Sequence, residues 1–191
     1  MPRRLPEEAS LRRSTVAQEL LVLQAQAGSA KAFEALVRVL HPGLVRHAWR
    51  LTGNEALAAD IVQDAWLRAA RGLSRLREAA AFRRWVFTIV TRAATDALRR
   101  RPPERATAPE TLDRLEPTDG EDAARAEAVA LLRRALLQLD EEERALVSLH
   151  HLEGFDLQDL AAMYAVPLGT IKSRLHRVRG RLRELLERMN P

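Results

Sequence analysis

The chain has 191 residues, 47% of them hydrophobic and 4% aromatic, with a net charge of +5, a length that permits one large domain or two small ones. It has no cysteine, which excludes disulfides and thiolate metal sites, and no apolar run nears the roughly 18 residues of a membrane span. The opening residues, MPRRLPEEASLRRS, lack the apolar core of a secretory signal, so a cytoplasmic protein without membrane insertion is expected.

Residues 1–19 read as an N-terminal tail. The first helical unit is expected over 20–101. Ala32, Phe33, Leu36, Val37 and Leu40 keep helical spacing, and Leu44, Val45, Ala48 and Leu51 resume it after Pro42. Gly53-Asn54 ends that helix, and another is predicted over Glu55–Ala70. A looser stretch, Arg71–Ala80, leads to a long helix from Phe82 to Arg100 with Val86, Ile89, Val90 and Ala93 on one side.

Residues 102–125 read as an acidic, proline-rich linker. From Arg101 to Asp122 there are four prolines, and seven acids against three arginines, too little apolar surface and too many helix breakers for a packed element. The second unit, 126–191, is expected to hold helices over Ala126–Leu139, Glu141–Leu152, Asp156–Tyr164 and Leu168–Arg188. No segment alternates apolar and polar residues as a half-buried strand does. The fold class is therefore all-α, with two small helical domains joined by a flexible linker.

The last helices carry the sharpest local signal. Asp156 is placed to cap a short helix, with Asp159 where a capping box puts an acid. The turn Ala165-Val166-Pro167-Leu168-Gly169 then joins it to a strongly basic helix, the plan of a helix-turn-helix. On that helix Ile171, Leu175, Val178, Leu182 and Leu185 form an apolar stripe, with Thr170, Ser173, Arg177 and Arg181 roughly opposite and Arg174 and His176 on the flanks. Short polar residues followed by arginines suit a helix entering a major groove.

GTIKSRLHRVRGRL following EGFDLQDLAAMYAVPL closely resembles region 4 of the extracytoplasmic-function sigma factors. IVQDAWLRAARG and FRRWVFTIVTRAATDALRRR resemble region 2 of the same family, in the family's order and at the family's separation. The resemblance implies a subunit that binds core RNA polymerase and promoter DNA, with an anti-sigma factor as a further partner and no cofactor. Region 4 would read the minus-thirty-five element through Thr170, Lys172, Ser173, Arg174, His176 and Arg177. Region 2 would follow the opened minus-ten strand with Arg84, Thr88, Thr91, Arg92, Thr95 and Arg99, beside a loop at Arg71–Ala80 that accepts a flipped base. The helix Glu55–Ala70 resembles the polymerase-docking helix. Asp60, Gln63, Asp64 and Leu67 share a face of it, and a leucine exposed beside two acids suits docking. Many members carry Ala-Arg-Asn where this chain has Val90-Thr91-Arg92, whereas Asp96 and the Arg99-Arg100-Arg101 run match.

Other readings are weaker. Asp60 with Asp64, or His150 with His151, are the candidate metal ligands, but neighbouring histidines on a helix diverge by about 100° and no third ligand is placed by motif. No Ser-His-Asp, phosphate-loop or HExxH pattern occurs, so neither catalysis nor a metal is expected. An ordinary helix-turn-helix operator-binding regulator is the main alternative, and it would need residues 20–101 as a sensory or dimerisation domain. A module that sequesters another protein is the third.

Overall fold

The computed structural model describes residues 5–100 and 120–189, with side chains placed for 16–100 and for 127–189 except at 133. The segment 102–119, most of the expected linker, lies outside the described residues, within which every regular element is helical.

Helix α1 spans Leu5–Gln26, so much of the stretch read as a tail is helical. Helix α2 spans Ala30–Thr52. Ser29 caps it by accepting a hydrogen bond from the Ala32 amide, and Gly53 closes it in the left-handed conformation at φ 63°. Pro42 lies inside α2 without ending it. A proline there removes one backbone hydrogen bond, and burial on the same helix outweighs that loss. Leu36, Leu44, Ala48 and Leu51 are fully buried, and each leucine contributes roughly 1.5–3 kcal/mol by leaving water. Helix α3, Glu55–Gly72, starts at Asn54, whose side chain accepts from the Leu57 amide at 2.8 Å.

Two short 3₁₀ turns, Leu73–Arg75 and Ala79–Ala81, connect α3 to α4, Phe82–Arg99. Helix α2 lies at the centre of this first unit, packed by α1, α3 and α4. Trp85 is partly buried, tilted against Phe82, and lies so close to Gly72 that a Cβ there would sit 2.9 Å from its ring.

The second unit holds α5 (Gly120–Leu137), α6 (Glu141–Val147), a π-turn (Ser148–Leu152), α7 (Leu157–Tyr164) and α8 (Leu168–Met189). Helix α5 thus begins inside the span read as linker. Asp140 and Glu143 form a complete capping box on α6. At α7, Asp156 accepts from the Asp159 amide at 2.7 Å. Ala165 ends α7 in the left-handed region at φ 53°, a conformation that costs an L-residue roughly 1–2 kcal/mol and that turns the chain tightly into α8.

The two units pack directly on each other. One continuous core runs from Val22, Leu36 and Phe87 in the first to Leu149, Phe155, Leu160 and Ile171 in the second. A smaller cluster, Ala135, Leu139, Val147, Val178 and Leu185, holds α5 and α8 together.

Candidate polymerase and promoter surfaces

On α3, Asp60, Gln63, Asp64 and Leu67 are all exposed, and Leu67 keeps half its surface. Ala58, Val62, Ala65 and Ala69 are buried on the opposite side. The helix is therefore anchored by small apolar residues and presents an acidic face with one leucine in it.

On α8 the expected stripe packs inward, with Ile171, Leu175, Val178 and Leu185 buried. Lys172, Ser173, His176 and Arg177 are exposed, and Thr170 and Arg174 are half-buried. The Ser173 hydroxyl donates back to the Thr170 carbonyl at 3.0 Å. Arg181, farther along the helix, is held by Glu143 at 2.7 Å. Lys172, Arg174 and Arg177 have no ion pair among the described residues, so their charges are available to another molecule.

Helix α4 is arranged differently. Arg92 and Arg99 are exposed, Arg84 and Thr88 are half-buried, and Thr91 and Thr95 are buried. The second unit covers this side of the helix. Arg84 donates to Asp159 at 2.8 Å, and Arg99 pairs with Glu142. Thr91 donates to the Phe87 carbonyl at 2.8 Å, and the Thr95 hydroxyl lies near the Thr91 and Arg92 carbonyls. The six residues expected along a DNA strand share one helix, but the buried pair does not reach solvent in this arrangement. A cleft of about 390 Å³ remains between the units, lined by Thr88, Arg92 and Arg99 from α4 and by Tyr164 and Arg174 opposite. Burial pushes the Tyr164 phenol well above its ordinary pKa.

Several groups that periodicity does not mark hold the units together. Glu153, almost fully buried, accepts from Arg50 at 2.6 Å. Arg83 donates to the Glu153 carbonyl and lies over the Phe155 ring at 4.1 Å, and Phe155 meets Phe87 edge-on at 5.1 Å. Burial draws the Arg83 guanidinium below its usual pKa, opposed by Glu153 and Asp159. A partly desolvated guanidinium over an aromatic ring gains cation–π attraction in addition to its hydrogen bond.

His47 of α2 is fully buried, with Nε2 2.9 Å from Thr91 Oγ1 and Nδ1 3.2 Å from Ser148 Oγ. The Thr91 proton is already given to Phe87, so Nε2 carries the imidazole hydrogen and donates, while Nδ1 accepts from Ser148. Burial, and then the nearby charge of Arg50, lower the His47 pKa to about 3. The signal for it was its position, since it stands on the inward side beside Leu44, Ala48 and Leu51.

The Sigma-70 region 2 family model matches residues 36–102, and the Sigma-70 region 4 model matches 130–190. The chain is 38% identical to the ECF RNA polymerase sigma factor SigM of Mycobacterium tuberculosis over 86% of this chain and 82% of that protein. It is 29% identical to the RNA polymerase sigma-H factor of Pseudomonas aeruginosa, over 87% and 92%. Among solved structures it resembles CnrH in complex with the cytosolic domain of CnrY, with a TM-score of 0.70 and 26% identity over 90% of this chain and 97% of that one. It also resembles the sigma factor RpoE in complex with the anti-sigma factor NepR from Bartonella quintana, with a TM-score of 0.65 and 27% identity over 83% and 98%. No helix among the described residues is long and apolar enough to cross a membrane.

Proposed function

The chain belongs to the extracytoplasmic-function sigma factors, and from that premise we propose how its surfaces divide the work of starting transcription. The α3 face of Asp60, Gln63, Asp64 and Leu67 docks on core RNA polymerase. Thr170, Lys172, Ser173, Arg174, His176 and Arg177 of α8 take the upstream promoter element as a duplex. Arg84, Thr88, Thr91, Arg92, Thr95 and Arg99 of α4, with the neighbouring loop, take the opened minus-ten strand. The factor itself performs no catalysis and works in the cytoplasm, where promoter DNA and polymerase are. RpoE is seen in complex with an anti-sigma factor, and this chain likewise accepts an anti-sigma partner.

The observation that carries this assignment is the distribution of unpaired charge. Among the described residues, Asp60 and Asp64 of α3 and Lys172, Arg174 and Arg177 of α8 have no ion pair, whereas Arg50, Arg84, Arg99 and Arg181 are each held by a carboxylate. The arginines of α4 are the informative exception, because Arg84 and Arg99 are paired with acids of the other unit. For α4 to meet a DNA strand, the phosphates must replace Asp159 and Glu142 and the units must part. Promoter engagement is then coupled to opening, with polymerase docking supplying the free energy.

Reconstituted core polymerase tests the assignment. With this chain added, it should start transcripts from promoters selected from random DNA, and those promoters should share two elements. Transcription that requires another sigma factor, with this chain only altering its yield, would return the protein to the operator-binding class.

A further inference from the structure

We propose that Gln26, the last residue of α1, is a positioning residue that fixes the 71–80 loop and thereby sets the base preference of region 2 at the minus-ten element. The proposal rests on the assignment of that loop to the promoter given above, and it adds a residue from outside both the loop and α4.

The Gln26 side-chain amide donates to two carbonyls of the loop, Leu73 at 2.9 Å and Leu76 at 2.7 Å. Both partners are acceptors only, so the nitrogen must face the loop, and its two hydrogens are both used. Within the loop, backbone hydrogen bonds close short turns, from the Leu76 amide to Leu73, from the Ala81 amide to Glu78 and from the Phe82 amide to Ala79. A segment with so few bonds of its own takes its shape from its surroundings. Gln26 grips it from α1, Leu73 is buried beneath it, and Gly72 lets Trp85 close against its start.

Leu76 and Ala79 pack partly against the core as well, and the polar side chains of the loop face outward. Arg71, Ser74, Arg75, Arg77 and Glu78 are exposed, and none has a side-chain hydrogen bond or ion pair among the described residues. A backbone held from behind with free polar side chains in front is what base discrimination requires. Phosphate contacts need only charge, whereas reading a base needs donors held to within a fraction of an ångström. Releasing Gln26 should leave the loop's charge unchanged and blur its geometry.

The test uses holoenzyme assembled from core polymerase and either the wild-type chain or Gln26→Met, which keeps length and helix propensity but removes both donors. Initiation is measured on promoters altered one base at a time through both elements. The expected result is a drop in discrimination of about fivefold, the scale of one lost hydrogen bond, confined to one or two adjacent minus-ten positions. Upstream discrimination and core affinity should stay unchanged. Val22→Ala, which removes core volume from the same helix but no hydrogen-bond donor, is the control for simple destabilisation.

The proposal is overturned if Gln26→Met keeps wild-type discrimination at every minus-ten position. It is equally overturned if all positions of both elements weaken alike, or if Val22→Ala reproduces the same positional pattern. Arg75→Ala and Arg77→Ala separate this failure from that of the parent assignment. If they alter minus-ten discrimination while Gln26→Met does not, the loop reads promoter DNA and only the role of Gln26 falls. If neither they nor Gln26→Met change it, both fall.

Discussion

Arg84 of α4 and Asp159 of α7 meet at 2.8 Å across the boundary between the two units. The arginine is one expected to follow the promoter strand, and if it does, a phosphate must compete with this carboxylate for it. Asp159→Asn should therefore raise the affinity of the free protein for a minus-ten oligonucleotide by about twofold to fivefold, since a half-exposed ion pair contributes roughly 0.5–1 kcal/mol. The gain should shrink in high salt. Fluorescence anisotropy with labelled single-stranded DNA measures it, and equal affinities for the two proteins would show that the pair does not compete with DNA.

The His47 site makes the closed arrangement sensitive to acid. Its folded pKa of about 3 lies below the ordinary value of 6.5, so a separated or unfolded state takes up the proton first. The stabilisation is whole above pH 6.5 and is lost as the pH falls towards 3, at about 1.4 kcal/mol per pH unit. Urea unfolding at pH 7.5 and 5.5 should show this loss on top of other titrations. His47→Gln should remove about that much of the pH dependence, and an unchanged slope would contradict the assignment.

Asp64 is exposed, and no hydrogen bond or ion pair holds it among the described residues. Asp64→Arg should change stability by less than about 0.5 kcal/mol while weakening assembly with core polymerase about tenfold or more, because a reversed charge at an interface is repelled and poorly desolvated. Competition against a reference sigma factor for limiting core reads this directly. Undiminished competition would move the docking face elsewhere.

Arg177 is similarly free, in contrast to Arg181, which Glu143 already holds at 2.7 Å. Arg177→Ala should leave folding intact and cost about 1–3 kcal/mol, roughly five- to 150-fold, at one upstream base pair. If the residue instead meets a phosphate, all sequences weaken alike and the salt slope falls by about one. Transcription from single-base promoter variants distinguishes the outcomes, and full retention of discrimination excludes base reading by Arg177.

Most of the helices and their faces were legible in the sequence because they are amphipathic, and α2, α3, α6 and α7 also start at side-chain caps. Ile171, Leu175 and Val178 face inward, and Asp60, Gln63 and Asp64 face outward, as spacing requires. What spacing does not encode is which residues meet across the chain. Arg84 and Asp159, or His47 and Ser148, are far apart in sequence, and nothing local marks them as partners. The burial of Thr91 and Thr95 has the same origin, since their side of α4 is polar in isolation and becomes interior against His47 of α2 and the covering helices α6 and α7. The passage of α2 through Pro42 was hidden for another reason: proline weakens a helix locally, and the packing that compensates comes from other helices. The extension of α1 through the expected tail likewise has little amphipathic signal to announce it.

Arg144 shows how the two units can separate without either being dismantled. Its guanidinium donates to the carbonyls of Leu136, Leu137 and Leu139 at the end of α5, and to Leu51 at the end of α2 at 2.7 Å. Three of these four acceptors travel with the arginine. Of the bonds Arg144 makes, parting the units breaks only the one to Leu51, whose carbonyl passes to water, while the joint between α5 and α6 keeps its brace. At this point the seam is built like a clasp, with the fastening kept on one piece; what resists its opening is the shared core and the Arg50–Glu153 pair.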